Sequence, residues 1–369
     1  VNQVARDRRC RSFLFLNWRD PEHPEAGGAE RYLMEVGRRL INAGHKVHWL
    51  TARFPHAAAE TVIDGMPITR VGNRVTVYGA IPWTFLRRFR ATFDGIVDAE
   101  NGIPFFSPLY ANVPIVCLMF HVHQRVFERH LPFPASAIFK WLEGSFMPFV
   151  YGRSRFVAIS SDTKTELAQL GVPPGRITLA YSGYQESLVP GPKATTPTII
   201  YLGRLKKYKR VDTLLRALVE IRKQVPRVTL VIAGTGDQEA FLRALSETLG
   251  VSESVRFEGF VSEDRKAELY SNAWVFAMAS EMEGWGLTII EANACGTPAV
   301  AVSVPGVREA IVDDESGILV RTSTELGTAL VRVLTNSELR ERLAAGGLRR
   351  AAEYTWERTS EAILEAFER

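Results

Sequence analysis

From Thr198 to Val320 the chain alternates short apolar segments with helix-patterned ones, and this alternation constrains the fold more than any other feature. The strand-like segments are Thr198–Leu202, Val228–Ala233, Val255–Phe257, Trp274–Met278, Ala299–Val302 and Gly317–Val320. Between them lie Val211–Lys223, Gln238–Leu249, Glu263–Tyr270 and Leu287–Ala294, which carry helical patterning. Strands alternating with helices predict a parallel sheet covered on both faces. The first half repeats the rhythm less cleanly, with strand-like Ser12–Asn17, Lys46–Leu50, Ile68–Val71, Pro114–Phe120, Phe156–Ile159 and Ile177–Ala180. Helical spacing appears at Ala29–Ile41, through Tyr32, Leu33, Val36, Leu40 and Ile41, and at Asp162–Leu170. Residues 188–197 (LVPGPKATTP) hold three prolines and one glycine without periodicity, and read as a linker. A chain of 369 residues exceeds one ordinary domain of about 100–200 residues. The expected fold class is therefore α/β, with two doubly wound, Rossmann-like parallel-sheet domains. One spans residues 1–187 and the other begins at 198; the tail after Thr324 is helical. Ligands of such sheets bind at the carboxyl ends of strands, and a shared site is expected in the inter-domain cleft.

Composition excludes several classes. Hydrophobic residues make up 46% and charged residues 23%, so disorder and collagen-like repeats are ruled out. No apolar run reaches the ~18 residues of a membrane-spanning helix. The start, Val1–Arg11, is polar and basic and reads as a short tail rather than a secretory signal. Three dispersed cysteines, Cys10, Cys117 and Cys295, fit neither a disulfide framework nor a zinc ribbon, and suit a reducing cytosol. A net charge of +4 selects no partner, although it tolerates phosphates and acidic lipid. All seven histidines fall between His23 and His130, so any chemistry of the second half proceeds without imidazole.

Four clusters carry candidate chemistry. Gly27 and Gly28 sit between the first strand and the first helix, where glycines let backbone approach a ligand and helix-start N–H groups face an anion; a plain turn fits the same residues. In GRLKKYKR, Arg204 and Lys209 follow a strand and precede a helix, a placement suited to a diphosphate, while Lys206, Lys207 and Arg210 fit a solvated face. In SEMEGWGLTIIEANACGTPAV, Glu283 precedes a helix and Glu291 lies eight residues later on it. The residues between, Gly284, Trp285, Gly286, Leu287 and Thr288, bring backbone and helix-start donors close to a ligand. Two glutamates near a helix start also favour its dipole, but Glu291 among Ile289, Ile290 and Ala292 is harder to explain so. Fourth, His121 and His123 directly follow an apolar strand and suit hydrogen bonding to a reacting group. A metal site with His130 finds no Cys or carboxylate at ligand spacing, and a core histidine is a fair reading of His123. The chain has no D-x-D pair, no G-x-x-x-x-G-K-[ST], no G-x-S-x-G, and only Gly234-Thr235-Gly236 of a dinucleotide fingerprint.

The set PEAGGAE, FHVH, GRLKKYKR, EGWGLTIIEANACGTPAV and PGVREAIVDDESGILV resembles the retaining glycosyltransferases of family 4, in order and spacing over nearly the whole chain. The resemblance implies the GT-B architecture, with an acceptor-binding N-terminal domain and a donor-binding domain at 198–353. A helix at 354–369 would cross back to the first domain. It implies a nucleotide-diphosphate sugar as donor, front-face transfer with retention to an acceptor hydroxyl, and no cofactor or metal. His121 corresponds to the histidine facing the transferred sugar, with His123 as fallback; Arg204 and Lys209 to the diphosphate cations; Glu283 to the holder of the sugar hydroxyls. Backbone at Trp285, Gly286, Leu287 and Thr288 would assist, Glu291 would bind the ribose, Phe260 and Val261 would flank the base, and Gly27 and Gly28 would approach the diphosphate. The chain departs from the family where N-G-V-D is usual: it reads Ser182-Gly183-Tyr184-Gln185. Phe120 stands where close relatives often carry another histidine.

The acceptor is expected to be a sugar or lipid-linked molecule on the first domain, with His123 and Trp83 as candidate contacts. Trp83–Phe93 mixes aromatics with Arg87, Arg88 and Arg90, and Leu131–Val150 is rich in aromatics. Such segments fit an acidic lipid surface or, more often, a helix with one buried face and one solvated basic face. The expected location is cytoplasmic, with peripheral contact at the inner face of the membrane, and no nucleic-acid partner. Two alternatives stand beside the transferase. A nucleotide-sugar epimerase of the same fold would consume donor without acceptor. A nucleic-acid- or membrane-binding module would show steep salt dependence on RNA.

Overall fold

The computed structural model describes residues 10–368, apart from the side chains of Arg125, Arg129 and His130. The polar start therefore lies almost wholly outside the described residues, as does the His130 side chain considered for a metal. Within the described residues the chain divides into two units. One runs to Ser182 and resumes at Trp356, and the other spans Gly183–Thr355.

The N-terminal unit is built on one sheet of β1 (Ser12–Leu16), β2 (Lys46–Ala52), β3 (Glu60–Ile63), β4 (Met66–Val71), β5 (Gly95–Glu100), β6 (Ile115–Met119), β7 (Arg155–Ala158) and β8 (Ile177–Leu179). Their order is β3-β4-β2-β1-β5-β6-β7-β8, with all neighbours parallel except β3 against β4. Side chains alternate across a strand, so β1 serves two cores. Phe13 and Phe15 face one side with Tyr32, Leu33 and Val36. Leu14 and Leu16 face the other with Val77, Ile81 and Phe85. The final helix, Trp356–Glu368, closes the first of these cores. Trp356 meets Tyr32 edge-on at 5.5 Å, Phe367 lies 5.0 Å from Phe13, and Thr359 Oγ1 donates to the Tyr181 carbonyl at 2.6 Å.

The C-terminal unit carries β9 (Thr198–Leu202), β10 (Thr229–Ala233), β11 (Val255–Gly259), β12 (Val275–Met278), β13 (Ala299–Val302) and β14 (Gly317–Val320), in the order β11-β10-β9-β12-β13-β14. Every pairing is parallel, and the strands are close to those read from periodicity. Strand order reverses between β9 and β12 here, and between β1 and β5 in the N-terminal unit. At such switch points the loops leaving adjacent strands diverge to opposite faces and leave a crevice at the carboxyl ends.

Two sequence expectations change. Residues 188–197 are docked on the C-terminal unit rather than free. The Ala194 N–H donates to Asn272 O at 2.9 Å, Trp274 Nε1 donates to Ala194 O at 2.7 Å, and Lys193 Nζ reaches Thr297 Oγ1 at 2.6 Å. The change of unit falls instead at Ser182/Gly183. Strands β3 and β5 were not foreseen, because Gly95–Glu100 (GIVDAE) carries two carboxylates and lacks a continuous apolar run. The segment from Trp83 ends a helix, Val77–Thr84, and continues it as a wider turn, Phe85–Phe89, in keeping with the expected helix of one buried and one solvated face. Its Phe85 and Phe89 are buried, while Trp83 is 60% exposed beneath the Arg87 guanidinium, 4.1 Å away. Among the described residues no helix is long and apolar enough to cross a membrane.

Candidate active site

In the C-terminal unit the loops after β9 and β12 leave neighbouring strands, so motifs some seventy residues apart in sequence become adjacent. Lys209 Nζ donates to both carboxylate oxygens of Glu283, at 2.6 and 2.8 Å, and both side chains are largely buried. The loops are also joined through backbone, since the Glu281 N–H donates to Tyr208 O at 2.8 Å. Arg204 is exposed, and its one side-chain hydrogen bond among the described residues is from Nη2 to the Tyr208 hydroxyl, at 3.1 Å. The pair Lys209–Glu283 is thus pre-formed while Arg204 keeps most of its donors toward solvent.

Gly286 caps the helix Leu287–Ala294. Trp285 is buried with its ring 4.9 Å from Tyr354, and Leu287 and Thr288 are half-buried at the helix start. Glu291 is buried on the same helix, and both its oxygens have partners: Lys266 Nζ at 2.9 Å and the Tyr270 hydroxyl at 3.2 Å. Phe260 is 85% exposed at the loop after β11, with Val261 half-buried beside it. Sequence reasoning did not identify Lys266 and Tyr270; they lie on the helix Glu263–Asn272, whose charge pattern reads as an ordinary solvated face.

The Glu283 loop rests on Gly306, whose φ of +77° suits glycine alone. A Cβ there would stand 2.5 Å from Glu283 O and 2.9 Å from Gly284 C. Gly306→Ala is therefore expected to cost about 1–3 kcal/mol and to displace Glu283. Thermal unfolding of the purified variant checks this, and an unchanged midpoint would contradict it.

In the N-terminal unit Gly27 caps the helix Gly28–Asn42. Its N–H donates to Glu30 Oε2 at 2.7 Å, and Glu30 in turn accepts from Asn17 Nδ2 at 3.1 Å. The helix entry is held by its own carboxylate, and Gly28 faces open space: a Cβ on it would meet nothing within 4 Å. A recess of about 400 Å³ opens at the carboxyl ends of β1, β2 and β4, lined by Trp18, His23, Arg53, Phe54, Asn73 and Arg74 among others. None of these residues was singled out from sequence, because each is an isolated residue on a loop.

His121 and His123 follow β6. The His121 ring is exposed yet packs against the His123 ring, centroids 3.9 Å apart. The crowding of its surroundings, then the neighbouring His123 charge, push His121 down to about 4. His123 is buried instead, between two carboxylates. Its Nδ1 lies 3.4 Å from Glu143 Oε1 and 3.7 Å from Glu100 Oε2. Burial opposes charge on this ring, but the Glu143 and Glu100 carboxylates outweigh it and raise its pKa. Burial pushes Glu100 up to about 8, against the pull of His123. Among the described residues no ring contact or hydrogen bond joins Trp83 to either histidine. Among the described residues, Glu100, His123 and Glu143 are the group whose ligand atoms converge, all within 4.8 Å of one another.

Comparison with known proteins agrees with this architecture. The family described as Glycosyltransferase Family 4 matches residues 26–187, and that described as Glycosyl transferases group 1 matches residues 186–350. The D-inositol 3-phosphate glycosyltransferase of Thermobifida fusca is 31% identical over 94% of this chain and 89% of its own. That of Nocardiopsis dassonvillei is 30% identical over 94% and 90%. A further match, in Frankia alni, is 32% identical and spans 59% of each chain. Among solved structures, sucrose-phosphate synthase from Thermosynechococcus elongatus aligns over 97% of this chain and 98% of its own, with a TM-score of 0.76 at 20% identity. Anabaena Alr3699/HepE, solved with UDP and glucose, aligns over 97% and 99%, with a TM-score of 0.74 at 18% identity. Two parallel-sheet α/β units, matched over 94% of the chain by two of these relatives, place the chain in glycosyltransferase family 4, with the GT-B fold.

Proposed function

We propose that the chain transfers a sugar from a nucleotide-diphosphate donor, held by the C-terminal unit, to a hydroxyl of an acceptor held by the N-terminal unit. The observation that carries this reading is the Lys209–Glu283 pair beside Arg204, at the carboxyl ends of β9 and β12, where strand order reverses. When the sugar C1–O bond breaks, negative charge grows on the departing diphosphate. Cations already in place there lower the transition state more than the ground state. Arg204 and Lys209 supply that charge without a metal on the diphosphate. Glu283, positioned by Lys209, accepts from hydroxyls of the donor sugar, and Glu291, positioned by Lys266 and Tyr270, accepts from the ribose. Phe260 and Val261 flank the base. Retention follows from front-face attack: the acceptor oxygen bonds to C1 on the side the diphosphate leaves, and its proton passes to the leaving phosphate. His121 serves as a hydrogen-bonding group to the transferred sugar, as in the family.

The recess lined by Trp18, Arg53, Phe54 and Arg74 supports a cyclic, anionic acceptor, because aromatic walls take a ring face and two guanidinium groups take a phosphate. An inositol phosphate, the acceptor class in the relatives' names, has this chemistry.

The test is thermal stability with UDP, GDP, TDP and ADP, each with and without EDTA. A ligand at about 100 times its dissociation constant stabilises by about 2.7 kcal/mol. One nucleotide is expected to raise the midpoint equally in EDTA; no response to any of them would overturn the reading. Gly28→Ala is a second expectation. Its methyl group enters open space, so the melting midpoint stays within about 1 °C while sugar transfer falls, if donor or acceptor approaches this backbone. Full transfer activity in that variant would remove Gly28 from the site.

A further inference from the structure

We propose that Glu100, His123 and Glu143 form a buried binding site for one divalent transition-metal ion of the zinc class. Three observations support it. The first is how the fold assembles the groups. Glu100 ends β5 and pairs in register with Met119 of the adjacent β6, after which His123 follows, and Glu143 comes from the helical turn Leu142–Phe146. The second is spacing. His123 Nδ1 stands 3.4 Å from Glu143 Oε1 and 3.7 Å from Glu100 Oε2. Nitrogen and oxygen ligands about 2.0–2.2 Å from a tetrahedral zinc ion are about 3.3–3.6 Å from one another, so the two edges to His123 already match, while the edge between the carboxylates lies within 4.8 Å and closes by side-chain adjustment.

The third is that two of the three donor atoms have no hydrogen bond while the supports of all three groups are in place. Glu100 is fully buried; its Oε1 accepts the Gly102 N–H at 2.9 Å, but its Oε2 has no hydrogen bond. His123 is 7% exposed, and its Nδ1 has none either. Glu143 is 1% exposed and oriented by the His123 N–H at 2.6 Å and by Gln124 Nε2 at 2.8 Å. A carboxylate oxygen has a second lone pair, so Glu143 Oε1 accepts that N–H and still has one for an ion. Outer contacts that aim each ligand are the usual accompaniment of metal sites. Among the described residues neither carboxylate has a Lys or Arg ion pair. Metal binding requires both carboxylates ionised and the imidazole neutral, and the two negative charges of that form are what a dication balances. Imidazole with carboxylate suits zinc, cobalt or manganese better than magnesium, and three protein ligands leave a fourth position for water. Such an ion pins the ends of β5 and β6 to the 142–146 turn and sets the His123 ring on which His121 stacks.

Untagged full-length chain, dialysed against EDTA and then desalted, is the material for the test. Zn2+ or Co2+ is added, excess is removed, and bound metal is measured by elemental analysis. We expect about one ion per chain, a higher melting midpoint with Zn2+ than with Mg2+, and a visible Co2+ spectrum typical of low coordination number. Glu100→Gln and Glu143→Gln keep side-chain shape and remove one charge each, and both are expected to lose the bound ion. The Co2+ spectrum of the wild type decides the matter should either variant misfold. A wild type that retains less than about a tenth of an equivalent, or folded variants that bind as well as the wild type, would overturn the proposal. In that case His123 is held by its own proton between the carboxylates. Either result leaves the nucleotide test untouched, because none of the three ligands belongs to the C-terminal unit.

Discussion

Asp20→Ala is expected to destabilise the N-terminal unit by about 3–5 kcal/mol, because it strands a buried guanidinium. Arg70, on β4, has a side chain 1% exposed, and Asp20 is fully buried. Nε donates to Asp20 Oδ2 at 2.7 Å and Nη2 to Oδ1 at 3.0 Å, a two-pronged contact that matches the planar fork of arginine. Nη2 also reaches Glu22 at 2.7 Å, and Nη1 donates to Ala58 O at 3.1 Å. Glu22 is half in solvent and cannot replace the lost carboxylate. The pair also shapes the candidate acceptor recess, since the Arg70 guanidinium stacks 5.0 Å from the Phe54 ring that lines it. Urea unfolding checks the value, read as a lower midpoint at unchanged slope. Adding Arg70→Met to Asp20→Ala should recover much of the loss, since it removes the unpaired charge; a double-mutant cycle measures that coupling. A cost below about 1 kcal/mol for Asp20→Ala would mean that water reaches the guanidinium.

Arg204→Ala and Lys209→Ala are each expected to lower kcat/KM by about 10²–10³, the usual cost of removing one preorganised group from a developing negative charge. The two differ in their side effects. Arg204 is exposed, and among the described residues its side chain bonds only to the Tyr208 hydroxyl, so its loss leaves folding unchanged. Lys209 neutralises Glu283, whose side chain is 10% exposed, so its loss also frees a carboxylate to repel the diphosphate. The double variant is expected to lose less than the product of the single effects, since both cations act on one leaving group. Sugar-nucleotide consumption with and without acceptor, together with the nucleotide-induced melting shift, provides the measurement. Arg204→Ala with wild-type rate and an undiminished shift would remove the diphosphate from this loop.

The reading from sequence succeeded where one residue type had one physical use. In β9, β10, β12, β13 and β14 short apolar runs alternating with amphipathic helices fit buried parallel strands, and the helices cover them. The strand ends followed, and with them the loops that bear Arg204, Lys209 and Glu283. That Lys209 holds Glu283 was not legible, because seventy-odd residues separate them and only the β9–β12 adjacency brings the loops together. The docked segment at 188–197 looked free because proline and glycine mark the absence of regular structure, not the absence of contacts.

The N-terminal unit shows the boundary most clearly. Its class was legible in local patterns: Phe13–Leu16 and Ile115–Met119 are buried on both faces and the helix from Gly28 on one, as a parallel sheet covered by helices requires. The surroundings of His123 were decided by tertiary structure alone. Glu100 sits in a strand that its own charges hid, and Glu143 sits in a helical turn twenty residues downstream of His123. Periodicity reports which residues seek burial, through the free energy of apolar surface. It says nothing about which polar groups meet once burial has occurred, because that depends on strand order and register, and those are settled by packing across the whole sheet.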